Sequence, residues 1–165
     1  MRKALAINPE IILGDFPDIT FKVSDEYFWS AKTNTIHYVP SRLHTIEGVY
    51  RLIHEIGHAI NQHKNYESGV QLLSLETEAW ETATEIAKRY GITIDPNYVE
   101  SCLDSYRDWL HARSSCPNCK TVSVEVNESE YKCFNCLQKW CVSGDQRTRC
   151  YRQKLKKGDL QKKTP

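Results

Sequence analysis

His54-Glu55-Ile56-Gly57-His58 is the stretch on which the reading of this 165-residue chain turns. On a helix of 3.6 residues per turn, positions 54 and 58 lie about 40° apart around the axis, so both imidazoles face one point and can share a metal ion. Glu55 stands about 100° from His54, beside the pair rather than within it, where a carboxylate can take a proton from a metal-bound water. The flanking residues supply the helix. From about Leu43 to Gln62, Ile46, Val49, Ile53, Ile56 and Ile60 form an apolar side, and Glu47, Arg51, His54 and His58 share the adjoining side.

Two histidines need a third ligand. A metzincin places a histidine ten residues after the first, and here that position is Lys64. His63 is one residue early; on a continued helix it points about 180° from His54 and reads as a solvated surface histidine. A second helix, capped by Ser74 and running to Tyr90 before Gly91, offers a better donor. On its wheel Trp80, Ala83, Ala87 and Tyr90 fall within about 40° of Glu76, whereas Glu78, Glu81 and Glu85 lie at about 140–200°. A carboxylate aimed at a core must be paired or metal-bound, which makes Glu76 the candidate ligand and Glu78 the fallback. A helix starting later would instead leave Glu76 as a solvated first-turn residue.

Elsewhere the patterning is simpler. Residues 1–40 read as strands and turns, with alternation at Ile19–Val23 and Thr35–Val39. Asp95-Pro96 is an N-cap followed by proline at the first helical position. Val99, Cys102, Leu103, Tyr106 and Leu110 then give a third helix, ending near Arg113. After Ser114-Ser115 the composition shifts. Cys116-Pro117-Asn118-Cys119 and Cys133-Phe134-Asn135-Cys136 are two CxxC pairs separated by 13 residues. Between them Thr121–Val126 alternates as a strand, and Asn127-Glu128-Ser129 can turn the chain. This spacing is near a four-cysteine zinc pattern, and Cys116, Cys119, Cys133 and Cys136 are the expected structural zinc ligands. Cys141 and Cys150 are spare, and Cys102 reads as a core thiol.

Net charge is +1 and hydrophobic residues make up 40 %, enough for a real core and no overall bias toward nucleic acid or membrane. From Lys139 onward, however, nine Lys/Arg face two Asp. The tail from 151 to 165 is expected to be basic and disordered. The seven cysteines and the absence of a secretory h-region or a membrane-length apolar run favour reduced thiols in a cytoplasm. Expected domains are 1–114, the ribbon at 115–150, and the tail.

With the second helix reading Glu76-Thr77-Glu78-Ala79-Trp80, the chain resembles the gluzincins, whose pattern is HExxH followed by E-x-x-A on a second helix. It is nearest the small forms, the minigluzincins and the ImmA/IrrE-like metallopeptidases, over about residues 18–92. The resemblance implies an α+β fold: a minimal zincin-like domain with a small N-terminal sheet, an HExxH helix, a glutamate helix and a third packing helix, followed by a small β zinc ribbon. It maps the zinc ligand onto Glu76, the residue the wheel selects independently, and implies that Thr35–Val39 is the edge strand along which a peptide substrate pairs. Many gluzincins carry Asp or Asn after the Ala, supporting a zinc-binding histidine; here Trp80 stands there, so that hydrogen bond must come from elsewhere.

The expected activity is peptide hydrolysis with Glu55 as general base, one catalytic Zn2+ on His54, His58 and Glu76, and one structural Zn2+ on the four cysteines. Tyr106, His111 and His37 are unranked candidates for oxyanion donor. The ribbon and tail are expected to contact protein or nucleic acid and not membrane. Two alternatives compete: a SprT-like protease acting on nucleic-acid-bound proteins, which would use a third histidine, and a zincin scaffold that binds without catalysis.

Overall fold

The computed structural model describes residues 8–143 and 150–155. Asn8 caps a short helix, α1 (Pro9–Gly14), by accepting the Glu10 N–H at 3.0 Å, where the sequence pattern predicts only strands and turns. Three strands follow: β1 (Thr20–Val23), β2 (Phe28–Ser30) and β3 (Thr35–Tyr38). Then come a 3-10 turn at Pro40–Arg42 and the helices α2 (Ile46–Ile60), α3 (Gly69–Arg89) and α4 (Pro96–Ser114). The Cys-rich part adds β4 (Val124–Asn127), β5 (Glu130–Lys132), β6 (Lys139–Val142) and β7 (Arg152–Lys154).

The chain forms two compact units. One takes the described residues up to Asn65 together with Ser74–Glu100; the other takes Tyr66–Leu73 together with the described residues from Ser101 onward. This division departs from the expected boundary at 114/115, because most of α4 and the first turn of α3 belong with the Cys-rich segment.

In the first unit the strand order is β1-β3-β2, with β1 parallel and β2 antiparallel to β3. The strand at Thr35–Tyr38 is therefore central rather than an edge, which corrects the expectation above. The edges are β1 and β2, and β2, the edge that packs against α2, has three residues, too few to show alternation. Thr45 caps α2 by accepting the Gly48 N–H at 3.1 Å. Val49, Leu52, Ile53 and Ile56 are fully buried, each worth about 1.5–3 kcal/mol over exposure, while the terminal Ile46 and Ile60 stay exposed.

Ala79, Ala83 and Ala87 on α3 are fully buried, small side chains that let the helix sit close. The closest approach is at Gly57, where a Cβ would lie 2.4 Å from the Ala79 carbonyl oxygen. The α3 C-terminus is closed by Gly91 at φ +66, with the Ile92 N–H returning to the Ala87 carbonyl at 3.0 Å. Asp95 caps α4 as expected, accepting the Asn97 N–H at 2.9 Å.

In the second unit Ser68 opens α3, its hydroxyl accepting the Gln71 N–H at 3.2 Å. Strands β4 to β7 make an antiparallel sheet in sequence order, and the β4–β5 turn places Ser129 at φ +59. Its small core is Cys116, Tyr131, Cys133, Trp140 and Val142, with the Trp140 indole N–H donating to the Arg113 carbonyl at 2.9 Å. Residues Arg152–Lys154 pair with β6, so this part of the expected disordered tail is a strand. Residues 156–165 lie outside the described residues, as do 144–149, which hold Arg147 and Arg149 of the basic C-terminal stretch. Among the described residues no helix is long and apolar enough to cross a membrane.

The contact at Gly57 makes a stability prediction. Gly57→Ala forces α2 and α3 apart against backbone, so it is expected to lower unfolding free energy by about 1–3 kcal/mol despite alanine's better helix propensity. Urea unfolding of the two proteins measures this; an unchanged or raised midpoint would refute the close approach.

Candidate metal centres

His54 and His58 project from α2 toward Glu76, which sits in the third turn of α3. That helix starts at Gly69, five residues before Ser74, so Glu76 is not a solvated first-turn residue. Ser74 is no cap; its hydroxyl donates to Glu78 Oε1 at 3.0 Å. Glu76 is 7 % exposed, on the same buried stripe as Trp80, Ala83 and Ala87. His54 Nε2 lies 3.1 Å from Glu76 Oε2 and 3.1 Å from His58 Nε2, and His58 Nε2 lies 3.5 Å from Glu76 Oε1.

These donors fit a divalent ion. Nitrogen and oxygen ligands at about 2.0–2.1 Å in tetrahedral geometry stand about 3.3–3.4 Å from one another, close to the observed separations. Two Nε2 atoms and a carboxylate turned toward one point, in a buried place, are the donor set of a zinc site. Burial pushes the Glu76 carboxyl upward, but the hydrogen bonds and charges of His54 and His58 outweigh it and bring it to about 2. Burial pulls His58 downward, and the hydrogen bond and charge of Glu76, with Glu55, outweigh that and leave it raised.

Glu55 lies beside this set, partly accessible, near enough to the Trp29 backbone N–H on β2 for it to favour the charged carboxylate slightly. Desolvation raises its carboxyl above the usual range; His54 and His58 pull it down, while Glu76 pushes it up. A carboxylate with a raised pKa beside a metal-ligand set is suited to proton transfer. Trp29 also lines a cleft of about 550 Å³ with Asn34, Ala59, Gln62 and Lys64.

The His54 ring stacks on Trp80, centroids 4.2 Å apart and planes at 24°, and Tyr98 meets Trp80 edge-on. The His54 Nδ1 is buried without a hydrogen-bond partner among the described residues. Trp80, which stands where a polar residue would hold the histidine, thus orients the ring by its face.

His63 is the residue that sequence reasoning misplaced. The helix ends at Ile60, Gln62 takes φ +53, and the chain folds back so that the His63 N–H donates to the His58 carbonyl at 3.0 Å. The Trp29 indole donates to the His63 carbonyl at 2.9 Å. The ring is therefore buried, not solvated: His63 is 7 % exposed, with Nδ1 2.9 Å from His58 Nδ1. The sequence carried little signal: Asn61-Gln62 breaks the apolar stripe, but the left-handed residue is Gln62, while Asn61 stays right-handed at φ −74.

The four CxxC cysteines also converge, with Sγ separations of 3.6 Å for Cys116–Cys136 and 3.5 Å for Cys119–Cys133. Four thiolates at about 2.3 Å from a zinc stand about 3.8 Å apart, so this set fits as well. Each pair ends in the same turn: the Lys120 and Leu137 N–H groups return to the Cys116 and Cys133 carbonyls at 3.0 Å, with φ +64 and +60. Thr121, through its hydroxyl and backbone N–H, holds the Cys119 thiol down to about 5, aided by Asn135. Cys102, Cys141 and Cys150 are outside the set.

Of the three oxyanion candidates, His37 stacks on Phe28 across the β2–β3 pair, while Tyr106 and His111 belong to the second unit. Neither a protein-family model, nor a curated protein, nor a solved structure matches the chain. The class is therefore defined by architecture and site: a zincin-like α+β arrangement with a buried His/His/Glu cluster able to hold a metal, and a separate four-cysteine cluster beside a four-stranded sheet.

Glu76 makes an acid-stability prediction for metal-free protein. Its carboxyl lies at about 2 in the fold against 4.5 in its ordinary state, so its stabilisation is complete above about pH 4.5 and is lost as pH falls toward about 2. Urea unfolding across that window is expected to show a flatter pH dependence for Glu76→Gln than for wild type. Parallel curves would show that the carboxylate is not held by the two imidazoles.

Proposed function

We propose that this chain is a zinc-dependent metallopeptidase of the gluzincin kind, related in design to the minigluzincins and ImmA/IrrE-like peptidases that it resembles. One observation carries the reading: His54, His58 and the inward carboxylate of Glu76 converge, with the raised carboxyl of Glu55 immediately beside them.

His54, His58 and Glu76 would hold the zinc, which when bound supplies Lewis acidity that lowers the pKa of a water and polarises a carbonyl. Glu55 takes the proton of the attacking water on its carboxylate and then hands it to the leaving amine nitrogen. As an edge strand, β2 is the element an extended peptide would join, with the cleft beside Trp29 taking a substrate side chain. A SprT-like protease would need a histidine where Glu76 stands, and His63 lies behind His58 instead. Free cysteines in two metal-ligand pairs suit a reducing cytoplasm.

In this reading the ribbon docks a partner. Phe134 and Tyr151 are exposed, and the Arg152–Lys154 strand is exposed along its length, a combination of stacking and phosphate-binding groups suited to single-stranded nucleic acid. A salt-sensitive gel shift with single-stranded DNA or RNA is the expected result; an absent or salt-insensitive shift removes nucleic acid as the partner.

The peptidase reading is tested by metal analysis and a peptide-library digest. Wild type is expected to hold two zinc per chain, falling to one in His54→Ala and to one in Cys116→Ser. Glu55→Gln should keep both metals and lose roughly 10²–10⁴-fold in turnover. Full activity in Glu55→Gln would rule out its role.

A further inference from the structure

Behind the metal-facing edge of His58 lies a second imidazole and a second carboxylate. The Nδ1 atoms of His58 and His63 are 2.9 Å apart, and His63 Nε2 is 3.4 Å from Glu78 Oε2, an ion-pair contact. We propose that Glu78 and His63 are positioning residues that fix the tautomer and orientation of His58, a relay from carboxylate to imidazole to ligand. The proposal rests on the metal-site reading above.

The proton positions follow from the atoms. For His58 to offer a lone pair at Nε2, its neutral ring must carry the proton on Nδ1. That proton points at His63 Nδ1, which must then be the acceptor, so the His63 proton sits on Nε2. There it faces the Glu78 carboxylate at 3.4 Å, within ion-pair reach but too far or too poorly aligned for a hydrogen bond. With His58 Nε2 given to an ion, this is the arrangement of neutral rings that pairs the two Nδ1 atoms as donor and acceptor.

The backbone builds this relay rather than leaving it to chance. His63 is held at both of its peptide groups, its N–H on the His58 carbonyl and its own carbonyl on the Trp29 indole. Glu78 is held by the Ser74 hydroxyl at 3.0 Å, while the Asn61 side-chain amide donates to the Glu78 carbonyl at 3.2 Å and ties the α2 end to α3. Thr82 in turn donates to Asn61 Oδ1 at 3.1 Å. Glu76 and Glu78, two residues apart on α3, thus serve the same histidine from its two sides. His54 has no such partner at Nδ1 among the described residues, so the device is specific to one ligand.

The test titrates Zn2+ into metal-free full-length protein against a competing chelator and reads the site that is absent in His54→Ala. His63→Phe, which keeps a ring but removes the acceptor, is expected to weaken that site about 10–100-fold. His63→Asn returns an acceptor near Nδ1 but not the link to Glu78, and should match Glu78→Gln, each about three- to tenfold weaker than wild type. That order supports the relay. Equal losses in His63→Phe and His63→Asn would mean that the ring only fills space, and wild-type affinity in His63→Phe would mean that it does nothing; either overturns the proposal. If His63→Phe does not fold, the half-exposed Glu78→Gln decides alone, and unchanged affinity there overturns it. If His54→Ala removes no zinc at all, the metal-site reading has failed, and the relay with it.

Discussion

A carboxylate buried between two imidazoles sets the terms for the first unit. An isolated buried charge is costly, and Glu76 is tolerated because His54 and His58 reach it from the neighbouring helix. That requirement fixes how closely the helices must approach. Gly57 lies one residue before His58, and its missing Cβ lets the Ala79 carbonyl come in beside the ligands. The small residues of α3 therefore serve the electrostatics as much as the packing.

The two histidines are oriented by different physics. The face of His54 lies on Trp80, and its position is set by stacking, with a buried Nδ1 left over. The Nδ1 of His58 meets His63, so its orientation is set by a directional contact. In the pattern that the chain resembles, a polar residue after the alanine supports a histidine. Here a tryptophan takes that place, and polar support is found on the other ring, supplied by a loop that folds back after α2.

The four-cysteine cluster is built on another principle. Cys116 and Cys133 are themselves part of a core of five buried residues, so the packing of that small sheet and the convergence of its sulfurs are one arrangement. Metal binding there would supply folding free energy that so few apolar side chains cannot. The His/His/Glu cluster instead sits among helices with a fuller core, where fold and ligand set are supported by ordinary burial.

Helical periodicity put His54 and His58 on one side of α2 and Glu76 on the apolar stripe of its helix, because the 3.6-residue repeat determines which side chains share a side, and CxxC spacing singled out the four cysteines. The Asp95-Pro96 start of α4 was equally legible, since a cap and a fixed proline φ act within a few residues. Around the site, three things were not. The start of α3 at Gly69 escaped because Ser74 is a plausible cap only when nothing else packs around Ser68–Leu73. The edge position of β2 escaped because strand order depends on which distant segments pair, and three residues carry no period. The burial of His63 escaped because one left-handed residue, Gln62, reverses the chain, and its cost is recovered only by contacts to Trp29 and His58 that are far away or off the helical repeat. Local spacing determined which residues can act together; tertiary packing decided which elements flank them and what holds each ring in place.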